Sequence, residues 1–135
     1  MFQIHTQLSI DTAPVVNWPL CHVLLIKDAN YPWLVLVPAR ADLRDFDDLA
    51  PGDLQQASSE IVRASQALKT VFKPDKINVG ALGNMVQQLH IHVIARFADD
   101  PAWPQPVWGV VPALSYTADA LESRLTVLRD VLGAS

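Results

Sequence analysis

Two imidazoles stand two residues apart in the run Gln87-Gln88-Leu89-His90-Ile91-His92-Val93-Ile94-Ala95-Arg96, in a chain that has four histidines altogether. An imidazole can ligate a metal, move a proton or attack an electrophile. A strand repeats every two residues, so Gln88, His90 and His92 share one face, while Leu89, Ile91 and Val93 share the other. Side-chain roots at i and i+2 lie roughly 6.5–7 Å apart, twice the rise per residue, and both rings can lean toward one ion or one phosphate. A metal site normally takes further protein ligands, and the downstream candidates Asp99 and Asp100 fall beyond a turn. Taken alone, two strand histidines are equally compatible with the solvent face of a half-buried strand. The preceding stretch "NVGALGN" changes the balance, because Asn78, Gly80, Gly83 and Asn84 bring small residues that let backbone N–H groups approach an anion.

The elements that must position these rings are legible around them. Residues 20–38 read as two apolar strands about a polar turn from Lys27 to Pro32, where Asp, Asn and Pro reverse the chain, and Pro38 ends the second strand. Leu54, Ala57, Ile61, Ala64, Leu68 and Val71 then recur at alternating steps of three and four, which predicts a long amphipathic helix opening near Pro51-Gly52-Asp53 and stopping before Pro74. Strand patterning returns in "KINVGALG" and "QLHIHVIARF", joined through Gly83-Asn84-Met85-Val86 and therefore expected as antiparallel neighbours. Four prolines and two tryptophans in "DDPAWPQPVWGVVP" forbid a helix there. Leu121, Leu125, Leu128 and Leu132 mark a second helix, with Thr117 placed to cap it. The expected architecture is an α+β domain, an antiparallel sheet with helices packed on it.

Length and charge limit the function classes. With 135 residues, the chain reads as one domain over 1–135, able to bury roughly 65–70% of its unfolded surface. Ten basic side chains, scattered among fourteen acidic ones for a net charge of −4, form no cluster of the kind that binds a nucleic-acid polymer. A small anion remains within reach of a few backbone amides and two imidazoles. No apolar run approaches the roughly 18 residues of a membrane span, and "MFQIHTQLSI" lacks the basic and apolar regions of an export signal, so a cytoplasmic protein is expected. The single cysteine, Cys21, reads as a small buried hydrophobe in "LCHVLLI". The acidic residues Asp42, Asp45, Asp47 and Asp48 read as a solvated helix start.

With strand, glycine turn and helix in this order, the chain resembles the histidine triad (HIT) family of nucleotide hydrolases and transferases. That family's signature is His-φ-His-φ-His-φ-φ, with φ hydrophobic, and this chain reads Gln88-Leu89-His90-Ile91-His92-Val93-Ile94. The likeness runs from about residue 20 to 108, through the paired strands ending in Pro38, the long helix, Asn78-x-Gly80 and Trp103-Pro104; the Trp/Pro arm and last helix occupy 99–135. It implies a sheet of about five strands carrying one long helix and a C-terminal helix. It also implies attack by His90 on the α-phosphorus of a nucleotide or nucleotide conjugate, through a transient nucleotidyl-histidine, at a phosphoanhydride or phosphoramidate bond. His92 would orient phosphate oxygens and Gln88 would take the first triad place as a hydrogen-bonding group. Substrate contacts are expected at Asn78, Gly83, Asn84, Met85, Asp28 and Trp103, with Asp28 at about the place the resemblance gives to the ribose hydroxyls; Trp103 and Trp108 can stack on a nucleobase, or else pack the Pro-rich arm on the domain's own surface or on a second subunit. No cofactor or metal is implied, and the partner is a second copy in a homodimer. Trp33 and Met85 stand where many members carry a histidine and a hydroxyl residue, as Gln88 replaces a histidine. A module that binds a nucleotide or phosphometabolite without turnover is the alternative, and a metal protein using His90 and His92 is a third reading.

Overall fold

A computed structural model describes residues 1–133. Five strands form one sheet: β1 (Thr12–Asn17), β2 (Cys21–Ile26), β3 (Trp33–Pro38), β4 (Lys76–Gly80) and β5 (Ile91–Arg96), in the order β1-β2-β3-β5-β4. Every neighbouring pair is antiparallel. Among the described residues three α-helices accompany it, α1 (Thr6–Asp11), α2 (Pro51–Phe72) and α3 (Ala118–Gly133), with a single 3-10 turn at Phe46–Asp48. The α+β expectation and the five-stranded sheet are both observed.

The middle strand, β3, is apolar and buried throughout because both faces of the sheet are covered there. On one face Val23, Leu25, Leu34, Leu36, Ile91 and Val93 pack under α2 and α3. On the other Leu24, Val35, Val37 and Ile94 meet Leu8 of α1, Tyr31, Trp33 and the arm residues Ala102 and Val107. The alternation along β5 therefore holds: Ile91 and Val93 face the long helix, whereas His92 and Ile94 face the arm.

α2 runs as expected from Pro51, in the first turn where its missing N–H costs nothing, to a left-handed Lys73 (φ 51°) just before Pro74. Its buried line is displaced from the expected stripe. Ala57, Glu60, Ala64, Ala67 and Leu68 are buried, while Leu54 is 37% exposed. Alanines let the helix backbone approach the sheet, and the larger aliphatics move to the flanks. Glu60 sits on that line because its carboxylate accepts from the backbone N–H groups of Leu20 (3.0 Å) and Cys21 (2.8 Å), anchoring the start of β2. In α3, Thr117 Oγ1 accepts from Ala120 N at 3.1 Å, and Leu125, Leu128 and Leu132 are buried.

Two boundaries differ from expectation. β5 begins at Ile91, so His90 precedes the strand, and residues 81–90 form a longer link than a tight turn. Leu89 N bonds Leu43 O (3.0 Å) within that link, outside the ladder. α1 and β1 carry no recognisable pattern; β1 is an edge strand holding Pro14 and breaking register between Pro14 and Val16, and both an edge and a register break accommodate proline. No helix among the described residues is long and apolar enough to cross a membrane.

Candidate active site

His92 on β5 pairs with Gly80 of β4 and Val35 of β3, which sets its ring on the arm side of the sheet. His90 lies one step before the strand. Both are buried, and their ring centroids are 5.0 Å apart at 70° between planes. Together they line a cavity of about 840 Å³, within the ordinary range for small-ligand sites of about 300–1,000 Å³. Trp33, Trp108, Asp28 and the Gly83-Asn84-Met85 turn line the same cavity. Gly83 has φ 73°, a left-handed conformation that glycine adopts without strain.

The outer nitrogens of the two rings are held by opposite partners. His90 Nδ1 lies 2.6 Å from the carbonyl oxygen of Gln88. A carbonyl only accepts, so Nδ1 carries the proton and, in the neutral ring, Nε2 keeps a free lone pair. His92 Nδ1 is 2.9 Å from Trp33 Nε1. An indole only donates, so His92 Nδ1 is the acceptor and its proton resides on Nε2. Burial first, and then the adjacent His90 ring, pushes His92 down to about 4. One ring thus offers a lone pair and the other an N–H.

The remaining expected residues divide. Asp28 is 7% exposed and lines the cavity; its Oδ1 accepts from Asn30 N (3.0 Å) and Leu114 N (3.1 Å), tying the β2–β3 turn to the segment after the arm. The Gln88 side chain is directed to the N-terminal segment, accepting from His5 N at 2.8 Å and donating to Gln3 O at 2.7 Å. Gln88 serves His90 through its main chain. Asn78 Oδ1 accepts from Arg96 Nη1 (2.8 Å), and Trp103 lies over the same guanidinium at 5.8 Å, so neither is on the cavity wall. Trp108 is the arm tryptophan that reaches the histidines, 5.1 Å from His92 between ring centroids. Leu8, Ile10 and Asp11 of α1 and Tyr116 before α3 also line the cavity. No local pattern in the chain marks them. Lys27 is the one Lys or Arg on the described wall. Among the described residues no group of three or more His, Cys, Asp or Glu is arranged to hold a metal ion.

An antiparallel sheet presenting two adjacent imidazoles beside a glycine turn defines a recognisable class of site. Residues 7–99 match the HIT domain, and the chain belongs to the HIT domain family. A histidine triad protein from Bradyrhizobium japonicum is 47% identical, with a TM-score of 0.93 over 96% of each chain. Another, from Marinobacter aquaeolei VT8, is 41% identical, with a TM-score of 0.95 over 98% of this chain and 97% of that one. An AP-4-A phosphorylase of Mycobacterium tuberculosis (strain CDC 1551 / Oshkosh) is 30% identical over 102 residues, 68% of this chain and 51% of that protein. The chain spans about half the length of the curated relatives it matches.

Proposed function

We propose that the protein is a nucleotide hydrolase or nucleotidyl transferase that acts at the α-phosphate of a nucleotide or nucleotide conjugate through a nucleotidyl-histidine on His90. The observation that carries this reading is the 2.6 Å contact between His90 Nδ1 and the Gln88 carbonyl, which frees Nε2 for attack inside a cavity large enough for a nucleotide. Nε2 bonds to phosphorus as the bond to the leaving group breaks; water then cleaves the P–N bond and returns the electron pair to the ring. His92 Nε2–H and the amides of the Gly83-Asn84-Met85 turn meet the charge on the non-bridging oxygens, the contact that matters most in phosphoryl transfer. Asp28 serves the ribose hydroxyls. Membership in the HIT domain family and likeness to an AP-4-A phosphorylase support a nucleotide as substrate.

Intact-protein mass spectrometry after brief mixing with adenosine and guanosine phosphoramidates, dinucleoside polyphosphates and nucleotidyl sulfates tests the proposal. A mass increment equal to one nucleoside monophosphoryl group, absent from His90→Asn, is expected. Binding of these compounds with neither adduct nor turnover leaves a nucleotide-binding module in place of the enzyme.

The protein is proposed to work as a homodimer. β4 is an edge strand with an open ladder, and Val79 on it (50% exposed) and Val62 on α2 (54% exposed) give the sheet edge and the long helix apolar surface to cover. Light scattering at micromolar concentration is expected to report twice the 14.9 kDa chain mass. A monomer throughout that range rejects this assembly.

A further inference from the structure

The Trp33 indole has no place in the chemistry outlined above, yet it makes the one side-chain hydrogen bond recorded for His92 among the described residues. We propose that Trp33 is a positioning residue that holds His92 as a neutral Nε2–H donor, and that the site consequently selects leaving groups that depart without taking up a proton. The inference rests on the proposed nucleotidyl transfer at His90.

The indole fixes the His92 tautomer because it can only donate. Trp33 Nε1 has a hydrogen to give and nothing to accept with, so a proton on His92 Nδ1 would oppose one N–H to another at 2.9 Å. Both the alternative tautomer and the imidazolium place that proton there. Ring movement does not relieve the conflict, because His92 is wedged between Trp33 at 5.6 Å and Trp108 at 5.1 Å, with His90 at 5.0 Å. The β3–β5 ladder, with Trp33 opposite Ile94 and Val35 opposite His92, sets the two side chains in register. The titratable groups that share the cavity wall with His92 are His90, which touches it, and Asp11 of α1, Lys27 and Asp28 at the β2–β3 turn, and Tyr116. Burial acts in the same direction as the indole, disfavouring the charged ring.

Leaving groups differ in whether they need a proton as they depart. When Nε2 of His90 takes the α-phosphorus, a phosphate or sulfate leaving group keeps the electron pair of the broken P–O bond and departs as the anion that is stable at neutral pH. An amine leaving group needs one proton on nitrogen as the P–N bond breaks. A neutral imidazole N–H is far too weak an acid to supply it, and His92 cannot charge to become a stronger one while it accepts from Trp33. The amine must draw its proton from water. Phosphoanhydrides and mixed sulfate anhydrides are therefore the substrate class this site handles best, with phosphoramidates slower.

Two measurements test this. Long-range proton–nitrogen correlation spectra of the labelled wild-type protein, between about pH 5 and 8, are expected to show His92 protonated on Nε2 alone throughout. In Trp33→Phe, which keeps an aromatic ring and removes the N–H, the Nδ1-protonated tautomer is expected to appear and the His92 titration to move upward. Wild-type protein with His92 protonated on Nδ1 overturns the assignment without any variant, and so does a Trp33→Phe spectrum indistinguishable from wild type. The second measurement compares kcat/KM for a dinucleoside polyphosphate and an adenosine phosphoramidate. Wild type is expected to favour the anhydride, and Trp33→Phe at mildly acid pH is expected to shift that ratio toward the amidate by about tenfold or more. A ratio that Trp33→Phe leaves unmoved overturns the leaving-group selection. If no nucleotide is turned over, the enzymatic reading and the selection fall together, and the spectra alone decide the role of Trp33.

Discussion

Replacing His90 by Asn is expected to lower kcat/KM by roughly a thousandfold or more, about 4 kcal/mol of transition-state stabilisation, on any nucleotide the wild type turns over. Asparagine can still donate a hydrogen bond toward the Gln88 carbonyl from a similar position, so the link preceding β5 retains its partner. What it lacks is the second ring nitrogen. Without that lone pair no P–N bond forms, the reaction cannot be divided into two displacements, and only the cavity's binding and its N–H donors remain to assist water. The comparison is made at saturating and limiting substrate, with the fold of each protein checked by circular dichroism. Wild-type turnover by His90→Asn would end the nucleotidyl-histidine mechanism for this protein.

The largest effect on stability is expected at the far end of the same strand. Arg96 is 1% exposed and its guanidinium spends its donors on both oxygens of Asp100 (2.8 and 3.0 Å), on Asn78 Oδ1 (2.8 Å) and on the Gln105 carbonyl (2.8 Å). Asp100 in turn accepts from the backbone N–H groups of Phe97, Ala102 and Trp103. Asp100→Ala strips the carboxylate from a buried guanidinium and from three amides at once. A loss of about 3–5 kcal/mol is expected, because an unpaired charge stays behind in a site closed to water. Burial alone would raise the Asp100 carboxyl, but the Arg96 guanidinium and the three amides overcome it and hold the group down at about 2, against an ordinary 3.8. A carboxyl lowered by folding contributes stability above its unfolded value and loses it as pH falls through the folded one. The wild type is therefore expected to lose this contribution between about pH 4 and 2, and Asp100→Ala to have none to lose there. Urea unfolding at neutral and at acid pH measures both. A change below about 1 kcal/mol at neutral pH would mean that the network is ornamental.

The sequence made the frame legible because its signals were local. Proline at 38 and 74, the steps of three and four through α2, the leucines of α3 and the two-residue alternation around His92 each act within a few positions of the element they specify. The two rings and the glycine turn were legible for the same reason. What escaped depends on contacts between distant parts of the chain. Gln88 and Gln3, Glu60 and Cys21, Arg96 and Asn78, and Trp33 and His92 are joined by hydrogen bonds across 18 to 85 residues, and no periodicity announces a partner at such range. The displaced face of α2 has a related origin: periodicity weighs apolar mass, whereas the helix settles where its smallest side chains let it approach the sheet. Trp103 and Trp108 carried the same two readings as members of one arm, and contacts at long range separate them: Trp103 lies against Arg96, and Trp108 reaches the histidines.

The burial of Cys21 gives the molecule an internal clock. Its side chain has no exposure, it opens β2 between two neighbouring strands, and burial together with the adjacent Glu60 carboxylate pushes the thiol far above its ordinary range. A thiol in that setting does not react with an alkylating reagent while the sheet is closed. With no other cysteine in the chain, the rate at which reagent mass is added reports how often β2 separates from its neighbours and from α2. Under conditions where reclosure outpaces labelling, that rate gives the free energy of opening directly in native buffer, free of denaturant and of any assumption about substrate.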